Sequence, residues 1–238
     1  MESTEAAPTS RPAWLTGVTQ ALPIVLGYVP VGLAYGVLAT KAGIPALATV
    51  AMSVVVYAGS AQFIAVGLLA AGTTPLSIVA TTFIVNLRHL LMSAALAPHL
   101  RRWSRLQMAA FAYELTDESF ALHAAHFAAS DAHAAQALAT NVTAQIAWVG
   151  GSALGILVGS AIGQVEPLGL DYALPAMFIA LLVMQIKERV QAIVALLTGA
   201  LAVGLLMAGL SRWHVIVATL VGATAGLGLE TWITRRSR

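Results

Sequence analysis

Cysteine is absent from the 238 residues, so neither a disulfide framework nor a thiolate metal site is available, and the redox compartment leaves no mark on the sequence. Charge is nearly as scarce. Asp, Glu, Lys and Arg make up 9% of the chain, against about 25% in a typical soluble domain. No Gly-x-Ser-x-Gly, His-Glu-x-x-His or Walker pattern occurs, which removes the commonest hydrolase, zinc-protease and nucleotide sites. The basic residues punctuate apolar runs instead of forming one solvated face, so the pI near 9.2 does not indicate nucleic acid. No cofactor and no metal are called for.

What is present is apolar length. Pro12–Thr40, Ala42–Leu87 and Ala132–Val165 contain no Asp, Glu, Lys or Arg, and each exceeds the roughly 20 residues that cross a hydrocarbon core. The chain reads as an all-α polytopic membrane helix bundle with about seven spans and no room for a soluble catalytic domain. The spans are expected near residues 14–40, 46–71, 75–97, 138–162, 170–186, 190–210 and 213–233. This gives an extramembrane tail at 1–13, a first transmembrane repeat at 14–97, a cytoplasmic linker with short amphipathic helices at 98–137, a second repeat at 138–210, and a final span with a basic tail at 211–238. The tail before the first span lacks the basic start of a signal peptide, so that apolar run is expected to be retained.

With seven crossings, one side carries Lys41, Arg101, Arg102, Arg105, Lys187, Arg189, Arg235, Arg236 and Arg238, and the other only Arg11 and Arg212. The positive-inside rule then makes the rich side cytoplasmic, with the C-terminus inside and the N-terminus outside. A re-entrant first segment, for which Pro23, Gly27, Pro30 and Gly32 offer places to break, instead puts the N-terminus inside.

The chain also repeats itself. YAGSAQFIA from Tyr57 returns as YALPAMFIA from Tyr172, with six identities at an offset of 115, and GLAYGVLATKAG from Gly32 resembles GSALGILVGSAIG from Gly151 at an offset of 119. A further apolar segment follows each pair, so the unit reads as three helices. A copied unit with an odd number of crossings reverses direction, which predicts inverted-topology repeats with broken helices, the design of many secondary transporters. Gly151, Gly155, Gly159 and Gly163, with Gly32/Gly36 and Gly222/Gly226, keep a four-residue spacing suited to close helix packing.

Candidate site residues follow from polar groups inside apolar runs. In the third span, Thr82, Asn86, His89 and Ser93 share one helix face, with Arg88 beside it. An intramembrane charge faces a partner, a substrate or water, although near a helix end it also snorkels to headgroups. Tyr57, Ser60 and Gln62 interrupt the longest uncharged run beside Gly59, and Pro175 stands where Ser60 does in the other copy. Corresponding helix breaks mark binding sites in transporters. Phe63, Met177 and Phe178 supply an apolar wall. In the linker, Thr116 or Asp117 starts a short helix with acidic residues in its first turn. His89, Asp117 and Glu118 are the candidate proton carriers, with His89 titrating nearest neutrality.

At GYVPVGLAYGVLATKAG, MSVVVYAGSAQF, TTFIVNLRHLLMSAALAPHLR and LTDESFAL the chain resembles the AzlC family of branched-chain amino acid permeases. The resemblance implies a bacterial inner-membrane exporter of branched-chain or other apolar amino acids, paired with a small AzlD-like membrane subunit. The expected mechanism is alternating access coupled to the proton gradient. Arg88 holds the substrate carboxylate or stabilises the inward mouth, and Tyr57, Gln62 and Asn86 bond the amino-acid backbone. A passive channel, a regulatory membrane subunit and an intramembrane hydrolase using Ser60 with His89 remain open from the residues alone.

Overall fold

A computed structural model describes residues 11–161, 189–210 and 214–236, together with residues 172, 179, 182, 183 and 186. The chain divides into two compact units, Met1–Met177 and Phe178–Arg238. In the first, three long helices are α1 (Ala13–Lys41), α4 (Pro75–Leu96) and α7 (Ala134–Ala161). At about 1.5 Å per residue each is long enough, and apolar enough, to cross a bilayer. Short helices fill the intervals: α2 (Ala46–Ala51), which runs into a π-helical turn (Met52–Val56), α3 (Gly59–Ala70), α5 (Arg105–Tyr113) and α6 (Asp117–Ala129). No strand occurs among the described residues, and the chain is the all-α membrane bundle that its composition calls for.

Helix α1 stays continuous through Pro23 and Pro30, so the re-entrant first segment does not form. Each proline deletes one backbone bond, but α7 packs along the length of α1 and holds it. The approach is closer than side chains permit. A Cβ on Gly36 would stand 2.2 Å from the Ser152 carbonyl oxygen, and one on Gly155 would stand 2.1 Å from that of Leu33. Gly17 meets Gln136, Gly32 meets Gly151 and Gly159 meets Val37, so partner numbers rise together and the two helices run parallel. The sequence similarity at an offset of 119 is thus the register in which these helices touch. An inverted three-helix repeat requires these two helices to run in opposite directions, and here they do not.

The cause lies in residues 46–70. One crossing was expected, but the chain turns back on itself. Tyr57 adopts φ 41°, ψ 48°, and is the only non-glycine residue with positive φ among those described. On either side of it the arms lie side by side: Gln62 Nε2 donates to Ser53 Oγ at 3.1 Å, and Tyr35 of α1 touches Met52 on one arm and the ring of Phe63 on the other. The 11 and 12 residues of the arms are about half of what a crossing needs. We call this hairpin A.

Residues 105–129 form a second such element, hairpin B, approaching from the opposite end. Trp103 Nε1 donates to the Ala132 carbonyl at its base, and Phe111 packs on Phe127 and His123 across its arms. Its apolar faces join Met92, Leu96 and Leu100 at the end of α4 and Ala137 at the start of α7. A cytoplasmic linker with short amphipathic helices was expected at residues 98–137; the two helices form, and their apolar faces put them inside the bundle.

In the second unit, α8 (Arg189–Met207) and α9 (His214–Arg236) pack with Gly222 against Thr198 and Gly226 against Val194. The expected span at 170–186 lies largely outside the described residues.

Candidate functional site

The tips of the two hairpins meet beside the middle residues of α1, α4 and α7. Between them is a cavity lined by Tyr28, Tyr57, Ala58, Gly59, Ser60, Arg88, His89, Thr116, Asp117, Glu118 and Trp148, with room for little more than one water molecule. Both second arms begin here, so α3 and α6 point their N-termini into the same space. A helix start leaves backbone N–H groups without helical acceptors and carries positive partial charge.

The two starts differ in how they are capped. For α6, Thr116 and Ser119 form a reciprocal capping box, with Ser119 N donating to Thr116 Oγ1 at 3.3 Å and Thr116 N to Ser119 Oγ at 2.9 Å. For α3 the cap residue is Ala58, which has no side-chain acceptor. The first helical bond is made by Gln62 to Ala58, so the N–H groups of Gly59, Ser60 and Ala61 precede the helical ladder. A π-helical turn and a left-handed Tyr57 just before them are irregularities that concentrate at functional sites.

Arg88 joins the tips. Its Nη2 donates to Ser60 Oγ at 2.5 Å and its Nη1 pairs with Asp117 Oδ2 at 2.7 Å, while Nε is buried without a partner. Beside it, the Tyr28 hydroxyl lies 2.7 Å from Thr116 Oγ1 and 2.6 Å from Glu118 Oε2. The Glu114 Oε2 and the Tyr57 hydroxyl are buried without hydrogen-bond partners. The rings of Tyr57 and Trp148 stand edge-on to Tyr28, at 6.5 and 5.4 Å. The Tyr113 hydroxyl, from hairpin B, donates to the Val54 carbonyl of hairpin A.

Of the residues singled out from the sequence, the structure brings Tyr57, Ser60, Arg88, His89, Asp117 and Glu118 to this cavity. Gln62 stands behind it, fully buried, donating to Ser53 and accepting from Trp148 Nε1 at 3.1 Å; Ser53 in turn bonds Ser152 of α7 at 2.8 Å. Phe63 packs on Tyr35. Asn86 does not line the cavity; its Oδ1 is buried without a partner and its backbone carbonyl is 3.0 Å from His89 Nδ1. Ser60 and His89 are therefore each engaged elsewhere, not with one another. Pro175, Met177 and Phe178 lie outside the described residues. Sequence reasoning missed Tyr28, Trp148 and Glu114 as cavity or near-cavity groups. Nothing in their spacing marks them, because three separate elements bring them together.

A family model described as AzlC protein matches residues 23–162, a stretch that includes both hairpins. The chain is 30% identical to the inner membrane protein YgaZ of Escherichia coli over 232 residues, covering 92% of each. It is 27% identical to the branched-chain amino acid transport protein AzlC of Bacillus subtilis over 179 residues, covering 74% of this chain and 70% of that protein. An uncharacterized membrane protein of Archaeoglobus fulgidus is 31% identical over 210 residues, covering 87% of this chain and 90% of that protein. No solved structure matches.

Proposed function

The chain belongs to the AzlC family, and from that membership and the paired half-helices we propose that it is a secondary transporter exporting branched-chain or similar apolar amino acids by alternating access. The observation that carries the reading is the meeting of two helix N-termini, one arginine and two carboxylates in a single narrow cavity. An amino acid has one end of each charge. Its carboxylate suits the uncapped N–H groups of α3 together with Arg88; its ammonium suits Glu118 and the faces of Tyr57 and Trp148. An arginine tying both tips favours a carrier that opens on one side at a time over a passive channel.

Proton coupling is assigned to Glu118 rather than His89, because Glu118 is a carboxylic acid lining the cavity beside the Tyr28 hydroxyl and His89 faces its own helix carbonyl. Asp117 is already committed to Arg88. The small AzlD-like subunit is proposed from the family resemblance. Orientation changes with hairpin A: the ends carrying Arg11, Arg101, Arg102 and Arg105 share one face of the first unit and Lys41 lies at the other, so the basic face, and with it the N-terminus, is proposed to be cytoplasmic. The test is reconstitution with the small subunit and a panel of amino acids under an imposed proton gradient. Gradient-driven accumulation of leucine, isoleucine or valine, lost in Glu118→Gln while exchange persists, is the expected result. Uptake of no amino acid, or uptake indifferent to the gradient, contradicts the proposal.

A further inference from the structure

Arg88 makes polar contacts with both hairpin tips, and what it touches on hairpin B is a carboxylate. Asp117 makes one contact, Oδ2 to Nη1, at the first turn of α6; Ser60 takes Nη2; Nε stays unused although it is buried. The guanidinium therefore holds a one-point carboxylate where its planar fork is built for two-point binding. The cavity beneath is too narrow for an amino acid, and the contact that keeps it narrow joins α4 to hairpin B. Other charged or titratable groups around it are Glu118, His89, Tyr28 and Tyr57; His89 Nδ1 is turned to the Asn86 carbonyl, and no lysine or second arginine lines the cavity.

We infer that Asp117 is an internal carboxylate that latches hairpin B to Arg88 and is displaced by the carboxylate of the incoming substrate, so that the amino acid itself releases the hairpin. This rests on the reading of Arg88 as the substrate's carboxylate partner. A bidentate substrate carboxylate exchanges a single charge-assisted bond for a pair and frees hairpin B to move, so binding and opening are one event. A ligand without a carboxylate has nothing to exchange and leaves the latch in place.

The test is binding of radiolabelled L-leucine to the chain reconstituted with its proposed small subunit, with L-leucinamide, which lacks the carboxylate, as the comparison probe. Asp117→Asn is expected to tighten L-leucine binding about two- to fivefold, the range of a partly exposed ion pair, and to slow net uptake; L-leucinamide gains nothing. A misfolded or merely weakened protein does not bind more tightly. Should the amide variant fail to accumulate, Asp117→Ser carries the same expectation. Binding that is unchanged or weaker in both Asp117 variants, while Arg88→Gln abolishes it, overturns the latch and leaves the carboxylate reading standing. L-leucine binding that survives Arg88→Gln overturns both.

Discussion

Hairpins A and B are one backbone device with opposite electrostatic dress. Each sends two short helices in from one end of the bundle and turns beside Tyr28, and each aims the N-terminus of its second helix at Arg88. Hairpin A has no charged residue between Ala46 and Ala70, and its α3 start is uncapped. Hairpin B caps α6 with Thr116 and fills the first turn with Asp117 and Glu118. A bare helix start invites an anion, and one already supplied with carboxylates does not. The asymmetry gives the cavity a receiving side for the substrate carboxylate and a side that answers its ammonium.

The largest effect should come from the residue that joins the two sides. Arg88→Gln removes two charge-assisted bonds, each worth about 1.5–3 kcal/mol, and transport assays should show a loss of about 100-fold or more, with Arg88→Lys restoring little because an ammonium lacks the planar fork. Giving hairpin A the character of hairpin B is the next step. Ala58→Asp places a capping carboxylate at the α3 start, and L-leucine affinity should fall about tenfold as the N–H groups and Arg88 acquire an internal partner. Unchanged affinity would mean that the α3 start does not bind the substrate.

The smallest effect is expected from Thr116→Val, which deletes the α6 cap at about 1 kcal/mol and one partner of Tyr28; hairpin A has no equivalent cap to lose.

The long helices were legible because apolar length and the glycine spacing report directly on spanning and close packing, as Gly36 against Ser152 and Gly155 against Leu33 show. The fold-back of residues 46–70 was not. Uncharged residues can cross or return equally well, and what decides is a left-handed Tyr57 and a buried Ser53–Gln62–Trp148 chain that no local pattern announces. The same cause hid the role of Gln62, whose amide ties hairpin A to α7 instead of lining the cavity. Arg88 stood out as a charge in an apolar run, and Asp117 and Glu118 only as acidic residues at a helix start in a polar linker; their meeting depends on hairpin B entering the bundle, which the polar character of residues 98–137 does not announce.

Side-specific labelling tests the account most directly, since the natural absence of cysteine makes single-cysteine variants clean reporters. Ala46→Cys and Ala71→Cys flank hairpin A, and both residues are exposed. If the chain turns at Tyr57, an impermeant thiol reagent applied to intact cells labels both variants. If residues 46–70 cross the membrane once, only one of the two is labelled from that side, and the paired-hairpin site is contradicted.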